Sequence, residues 1–376
     1  MKVLRAKTID LKQTGKLTER QKLNSDLNIK ELKEGIIKLN SLPRRVVLEL
    51  TNVCNINCIM CGRDAAEFNK TIFDQSHLRK LENIFDKIEE VALFGWGEPT
   101  LHPKFVELLE YFHLYPVRKY FVTNGTRIKY LIDSLFDYKV DIMAISLDGA
   151  KSVTNSRIRC GSNFDEIISN LSVIEKRKLK NGLQFPYINF VFTAMKSNLH
   201  ELPDMIRLAS RLGLEEVKVV YLTVFEDKLI GESLYNFQED VRAVFEEVSI
   251  LSQSLGVEIK LPYLQGEDPA EDKFHKDCFV GWRDFFLGSD GYVRPCQSTS
   301  MKLFHYSKYS SFENMWNSIE YQDFRRRVND PETMPNECKR CYQSTHANWN
   351  RKESFIQIGQ EFAPKWESKI QNGIIS

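Results

Sequence analysis

The 376-residue chain lacks the features that mark several common classes of protein. No stretch approaches the roughly 18 consecutive apolar residues that a membrane-spanning helix needs, and the lysine-containing N-terminus has no apolar core of a signal peptide. The formal net charge is only +1, whereas a surface that binds nucleic acid needs clustered positive charge. We therefore expect a cytoplasmic protein with neither a membrane nor a nucleic acid as partner.

Cysteine is scarce, but its eight occurrences are grouped rather than scattered. In a reducing compartment, such close spacing indicates metal or redox chemistry rather than disulfides. The histidines, His77 and His102 among them, show no metal-ligand spacing. In chain order the cysteine groups are Cys54, Cys58 and Cys61; Cys160 alone; and Cys278, Cys296, Cys338 and Cys341.

Short apolar runs alternate with helical patterns between residues 44 and 225. Strands rich in β-branched residues and separated by helices predict βαβ units and a parallel sheet. Six such units are too few for a closed eight-stranded barrel. The sequence therefore predicts an α/β fold, a partial (β/α)6 TIM-like barrel with a small C-terminal domain. The predicted strands are 46–50, 91–94, 119–122, 141–146, 187–193 and 217–222.

The barrel is expected to have flanking segments on both sides. A surface helix is predicted before it, because Leu27, Leu32, Ile36 and Leu39 recur at roughly helical spacing and Pro43 follows. Residues 261–277 carry Pro, Gly and acidic residues typical of a linker. The predicted divisions are an N-terminal extension at 1–43, the barrel at 44–260, the C-terminal domain at 261–350 and a tail at 351–376.

The three cysteines in "LTNVCNINCIMCGRD" follow the first predicted strand with the spacing C-x3-C-x2-C. The C-terminal ends of strands are where α/β folds build active sites. Thiolates select zinc or iron–sulfur clusters, but a structural zinc takes four ligands and no fourth is present locally. A cubane cluster held by three cysteines keeps one iron open. A zinc knuckle and a chance cluster stay open as alternatives on spacing alone.

This loop, with Met60 before its last cysteine, resembles the signature of radical S-adenosylmethionine (radical SAM) enzymes. The resemblance implies a [4Fe-4S] cluster on Cys54, Cys58 and Cys61 whose open iron binds S-adenosylmethionine (SAM). It further implies one-electron cleavage of SAM to a 5′-deoxyadenosyl radical, and a flavodoxin- or ferredoxin-type reductant.

Three later segments extend the resemblance along successive strands. They are "FGWGEPTLHP", which is similar to the Gly-Gly-Glu-Pro motif of the family, "VTNGT", and "ISLDGAKSVTNSRIRCGS". Arg159 matches the arginine that pairs with the SAM carboxylate, and Arg157 is an alternative for that role. The expected cofactor-binding residues are Gly95, Gly97, Glu98, Asn124, Ser146, Asp148 and Arg159.

The late cysteines, within "CFVGW…GSDGYVRPC…ECKRC", resemble the SPASM or twitch domains appended to many radical SAM enzymes. The full SPASM domain carries seven cysteines and two auxiliary clusters in that family, whereas this chain has four. The resemblance therefore implies one auxiliary [4Fe-4S] cluster on Cys278, Cys296, Cys338 and Cys341. Four thiolates also suit zinc, which stays open as an alternative.

Cys160 has two interpretations. It is either a free cysteine that packs as a small hydrophobe or a donor that returns a hydrogen atom to a substrate radical.

The sequence does not identify the substrate. Few residues precede residue 44, fewer than the leader-binding domain of many peptide-modifying relatives, so a small molecule such as a sugar, aminocyclitol or polyol is predicted to be oxidised or epimerised. Maturation of a ribosomal peptide is the alternative. A non-catalytic iron–sulfur scaffold or electron carrier is the alternative from a different class.

Overall fold

The computed structural model describes residues 17–63, 69–224, 227–262, 264, 278–297, 299, 301–330, 332–338 and, for the backbone, 355–357. Cys341 lies outside the described residues, as do most of the predicted linker and most of the predicted tail. Within the described part, no helix is both long and apolar enough to cross a membrane.

Strands dominate the centre of the fold. In chain order they are β1 Arg45–Leu48, β2 Asn57–Cys58, β3 Glu90–Leu93, β4 Arg118–Thr123, β5 Ile142–Ser146, β6 Arg159–Cys160, β7 Tyr187–Ala194, β8 Glu216–Tyr221, β9 Glu258–Pro262, β10 Asp284–Leu287, β11 Tyr292–Arg294, β12 Phe304–His305 and β13 Phe355–Gln357. One sheet has the order β12-β11-β10-β1-β3-β4-β5-β7-β8-β9-β13, and β2 pairs with β6 separately.

The strands from β10 to β9 in that order run parallel to their neighbours, and β11, β12 and β13 add antiparallel edges. The predicted α/β class with a parallel central sheet is therefore confirmed. The prediction missed β10, because four residues give little periodicity and the sequence around them is irregular. Asp284 of β10 pairs with Arg45 of β1, with Oδ2 and Nη2 2.6 Å apart.

Helices cover the outer face of the sheet. They are α1 Glu19–Lys33, α2 Phe105–His113, α3 Ile132–Asp137, α4 Ser152–Ile158, α5 Phe164–Asn181, α6 Leu202–Leu212, α7 Gln238–Leu255, α8 Val280–Arg283, α9 Phe312–Trp316 and α10 Ile319–Arg327. Alternate strand residues such as Phe190 and Val217 pack with helix residues such as Ile206 in the main core. The strand residues between them point to the other face of the sheet. Some of these, such as Tyr187 and Ala144, form a second buried cluster on this inner face. Both faces are buried because parallel strands need cover on each side.

Helix α1 docks through buried polar side chains as well as through predicted apolar residues, since Leu32 packs against the main core. Leu27 is 38% exposed, and the helix ends near Gly35, which has a φ of +66°, before Ile36 and Leu39. Asn28 is fully buried, and its Nδ2 donates to Ser41 Oγ at 3.0 Å, Leu42 O at 3.2 Å and Trp282 O at 2.8 Å. The leucine spacing predicted a longer helix than the structure has, and it did not reveal the buried amide contacts that help to hold it.

Replacing Asn28 tests this docking. Asn28→Ala leaves buried carbonyl groups without their donor, which should cost about 1–3 kcal/mol. Leu27→Ala, on the exposed side of the same helix, should change stability by less than about 0.5 kcal/mol. The thermal unfolding midpoint measured under anaerobic conditions should fall clearly for Asn28→Ala only. Equal losses in the two variants would contradict polar docking.

Candidate functional site

A two-residue strand pairing brings the cysteine loop to a buried arginine. The loop follows β1, and β2 within it pairs antiparallel with β6, so that Cys58 lies opposite Arg159. The Arg159 Nη1 group lies 3.7 Å from Cys58 Sγ, and Arg159 is only 8% exposed. Arg157 is exposed and donates from Nη2 to Ser197 O at 3.3 Å. The structure thus directs Arg159 rather than Arg157 towards the thiols.

Asp148 holds that arginine. Its Oδ2 lies 2.7 Å from Arg159 Nε, and its Oδ1 accepts from Thr193 N at 2.7 Å. The carboxyl group is fully buried, and burial raises the pKa of Asp148 while the neighbouring guanidinium opposes that shift. Both oxygens contact the protein, so Asp148 positions Arg159. Its expected contact with a cofactor stays a prediction.

Asn124 reaches the first cysteine and is itself held by Glu98. The Asn124 Nδ2 group lies 3.7 Å from Cys54 Sγ. The buried Glu98 carboxylate accepts from Asn124 N at 2.7 Å, Thr123 Oγ1 at 2.7 Å and Thr100 Oγ1 at 2.6 Å. Burial raises the pKa of Glu98, and these hydrogen bonds oppose the shift. The oxygens of Glu98 thus connect the segment after β3 with the end of β4. Its expected contact with a cofactor stays a prediction.

Two glycines that were expected to bind the cofactor, Gly95 and Gly97, let the loop 95–98 (the glycine loop) pack against the segment that follows β1. A Cβ atom on Gly97 would lie 2.4 Å from both Thr51 O and Val53 O, and one on Gly95 would lie 2.4 Å from Glu49 Cγ. Gly97 thus allows a close backbone approach directly before Cys54.

Ser146 ends β5 half-buried, in register with Val191 of the inner cluster. The Ser146 side chain makes no hydrogen bond or ion pair with the described residues that would indicate its role. Its contact with a cofactor therefore stays a prediction.

The cysteine trio has the chemistry that a metal–sulfur cluster requires. All three thiols are half-buried, and burial raises the pKa of Cys58 to about 12, with Cys61 and Cys54 adding to the shift and Arg159 opposing it. Thiolates are the metal-binding form, and N–H donors to sulfur support them. Asn124 and Arg159 supply such donors to two of the three sulfurs. The residues present therefore fit an iron–sulfur cluster.

Cys160 points away from this cluster of thiols. It is exposed, pairs with the exposed Asn57, and lies 3.2 Å from Arg157 O through its Sγ. Adjacent residues of a strand face opposite sides, so the inward position of Arg159 directs Cys160 outward. The hydrogen-donor role stays a hypothesis, and this position does not favour it.

The late cysteines that the structure describes lie beside the main core. Cys278, Cys296 and Cys338 are half-buried and pack against its residues. Cys278 N donates to Asn329 Oδ1 at 2.6 Å, a contact that the sequence did not suggest. Among the described residues, no three Cys, His, Asp or Glu side chains converge closely enough to hold a single metal ion. Ligation by these cysteines therefore rests on the family comparison.

Two family models match this chain. One, described as the radical SAM superfamily, matches residues 48–224, and one for an iron–sulfur cluster-binding domain, SPASM, matches residues 278–342. Residues 48–224 belong to the radical SAM superfamily. The chain is thus a radical SAM enzyme with a C-terminal SPASM domain. Its cofactors are SAM, a [4Fe-4S] cluster and auxiliary iron–sulfur clusters.

The chain is similar in sequence or in fold to several named proteins. The tungsten-containing aldehyde ferredoxin oxidoreductase cofactor-modifying protein of Pyrococcus furiosus is 26% identical over 66% of this chain and 69% of its own length. The mycofactocin maturase MftC of Mycobacterium tuberculosis is 33% identical over 46% of this chain and 43% of its own length. Streptococcus suis SuiB bound to SAM shares the fold, with a TM-score of 0.63, 17% identity and coverage of 82% of this chain and 74% of SuiB.

Replacing Gly97 tests the close approach of the glycine loop. Gly97→Ala places a methyl group against Thr51 and Val53, and overpacking of this kind costs about 1–3 kcal/mol. Iron and sulfide bound after reconstitution should fall, because the displaced backbone leads into Cys54. Gly231→Ala is the matched control, since nothing lies within 4 Å of that position. Full iron loading of Gly97→Ala would refute this role.

The outward position of Cys160 leads to a second expectation. Cys160→Ala should bind SAM and form products as the unaltered enzyme does, because the side chain contacts neither the thiols nor Arg159 in the described structure. The measurement is product formation beside substrate-dependent 5′-deoxyadenosine. Loss of product with continued 5′-deoxyadenosine formation would instead establish Cys160 as the hydrogen donor.

Proposed function

We propose that Cys54, Cys58 and Cys61 hold the [4Fe-4S] cluster and that Arg159 pairs with the carboxylate of SAM beside it. When bound, this group supplies one-electron cleavage of SAM to a 5′-deoxyadenosyl radical, which removes hydrogen from a substrate. The position of the Arg159 guanidinium against Cys58 Sγ carries the proposal. Asp148 fixes the guanidinium, and Gly97 and Asn124 shape the side of the site towards Cys54.

We further propose that Cys278, Cys296, Cys338 and Cys341 hold one auxiliary [4Fe-4S] cluster, within a domain at 261–350 that follows a barrel at 44–260. Four thiolates complete the ligand set of a cubane. A flavodoxin- or ferredoxin-type protein is the proposed reductant.

A peptide is the substrate class that we propose. The similarity to MftC supports it, as do relatives of the same fold that hold peptides: SuiB bound to its precursor peptide SuiA, with a TM-score of 0.62, and anSMEcpe bound to a peptide, with a TM-score of 0.58. The sugar, aminocyclitol or polyol expected from the short N-terminal segment has weaker support. The similarity to a cofactor-modifying protein keeps a small molecule as the second candidate.

SAM cleavage tests the site directly. The protein is reconstituted with iron and sulfide without oxygen, mixed with dithionite and SAM, and assayed for 5′-deoxyadenosine. The Cys54/Cys58/Cys61→Ala variant should form none. Arg159→Lys should lose at least about tenfold in rate, because an ammonium group lacks the guanidinium fork. Arg157→Lys is the matched control and should keep the full rate.

The same assay separates the candidate functions. A peptide substrate should stimulate 5′-deoxyadenosine formation and change mass, whereas sugars and aminocyclitols should do neither. Stimulation by those small molecules alone would overturn the peptide proposal. Assembly of the cluster without any cleavage of SAM would favour the non-catalytic scaffold instead.

A further inference from the structure

Glu49 lies between two loops and has no role in the proposed chemistry. It directly follows β1 and is 4% exposed. Its Oε1 atom accepts from Trp96 N at 2.9 Å, within the glycine loop 95–98. Its Oε2 atom accepts from Ser289 N at 3.2 Å and from Ser289 Oγ at 2.8 Å. One carboxylate therefore contacts two segments that lie far apart in the sequence.

Ser289 belongs to the turn between β10 and β11, in the part of the chain that matches the iron–sulfur domain. Its hydroxyl group also lies 2.7 Å from Thr71 Oγ1, and Glu49 N donates to Leu287 O at 3.0 Å. The strand β11 that follows this turn leads directly to Cys296. Glu49 thus contacts the turn that precedes β11 in the auxiliary domain.

Gly95 shows how closely the carboxylate is enclosed on the other side. A Cβ atom on Gly95 would lie 2.6 Å from Glu49 Oε1 and 2.7 Å from Glu49 Cβ. A side chain at this position would compete with Glu49 for space. The glycine that resembles a cofactor-binding residue thus serves the contact with Glu49. Hydrogen bonds to a carboxylate are about twice as strong as neutral ones, so each oxygen restrains its segment.

We propose that Glu49 is a positioning residue that fixes the SAM-binding loop 95–98 and the auxiliary-domain turn at Ser289 relative to each other. The affinity for SAM and the ordering of that turn are linked through its two oxygens. The inference rests on the proposed function and on the expectation from the sequence that Gly95, Gly97 and Glu98 bind SAM.

The test uses the reconstituted full-length protein and the variants E49Q and S289A, singly and together. Gln has the size of Glu, but an NH2 group replaces one of the two carboxylate oxygens. That group cannot accept a hydrogen bond from the N–H or O–H group that it faces. S289A removes the hydroxyl contact on the turn side and touches no atom of the glycine loop. S307A is the matched control, because Ser307 Oγ contacts His305 Nδ1 rather than Glu49.

Two quantities are measured. Hydrogen exchange of peptides that contain Trp96 and Ser289 reports the contacts without any need for SAM. The SAM concentration that half-converts the electron paramagnetic resonance spectrum of the reduced cluster reports affinity. E49Q should speed exchange at both sites and raise that concentration about tenfold, the effect of losing one hydrogen bond to a charged group. Iron content should stay unchanged.

S289A should also speed exchange at Trp96 and weaken SAM binding, by less than E49Q does. Adding S289A to E49Q should have little further effect, because both act through one carboxylate. The inference is overturned if E49Q leaves exchange at either site unchanged, if S289A changes only its own turn, or if the two effects on affinity multiply. A spectrum of the unaltered protein that does not respond to SAM would overturn the proposed function, and hydrogen exchange would still decide whether Glu49 links the two segments.

Discussion

The pairing of β2 with β6 is the constraint on which the arrangement of the site depends. It contains only two residues on each strand, yet it sets Cys58 opposite Arg159 and turns Cys160 and Asn57 to the other side. A shift of one residue would exchange these faces and place an exposed thiol where the guanidinium now lies. The loop of thiols and the segment after β5 are therefore specified together, although they are separated by about a hundred residues of sequence.

Buried carboxylates connect the loops around this pairing. Asp148, Glu98 and Glu49 each follow a strand, each is nearly inaccessible, and each uses its oxygens on protein donors. A buried carboxylate is costly unless its oxygens are satisfied, so each one restrains the backbone or side chain that supplies its partners. These carboxylates hold Arg159, Asn124 and the loop 95–98 in place, and preorganisation of this kind is what positions reacting groups accurately.

The sequence was sufficient to predict the parallel sheet and the cysteine loop, because β-branched runs and close thiol spacing are local signals. It did not reveal the contacts of Asn28, because this residue and its partners Ser41, Leu42 and Trp282 meet only in the folded chain. It also did not reveal the protein partners of Glu98 and Asp148, since a motif identifies a residue as important without saying which atoms it contacts. Glu49 is visible in the sequence as a charged residue at the end of an apolar strand. Its contacts with Trp96 and Ser289, which are distant in sequence, appear only in the structure.

The parallel contact between β1 and β10 bears on the order in which the protein is synthesised. The partner of residues 45–48 on one edge, residues 284–287, is made more than two hundred residues after them. Until then that edge of β1 presents unpaired backbone groups, which invite association with other strands. Domains of this size expose such edges during folding, and non-local pairing closes them slowly. Strand β10, within the part of the chain that matches the SPASM model, therefore also completes one edge of β1 in the parallel sheet.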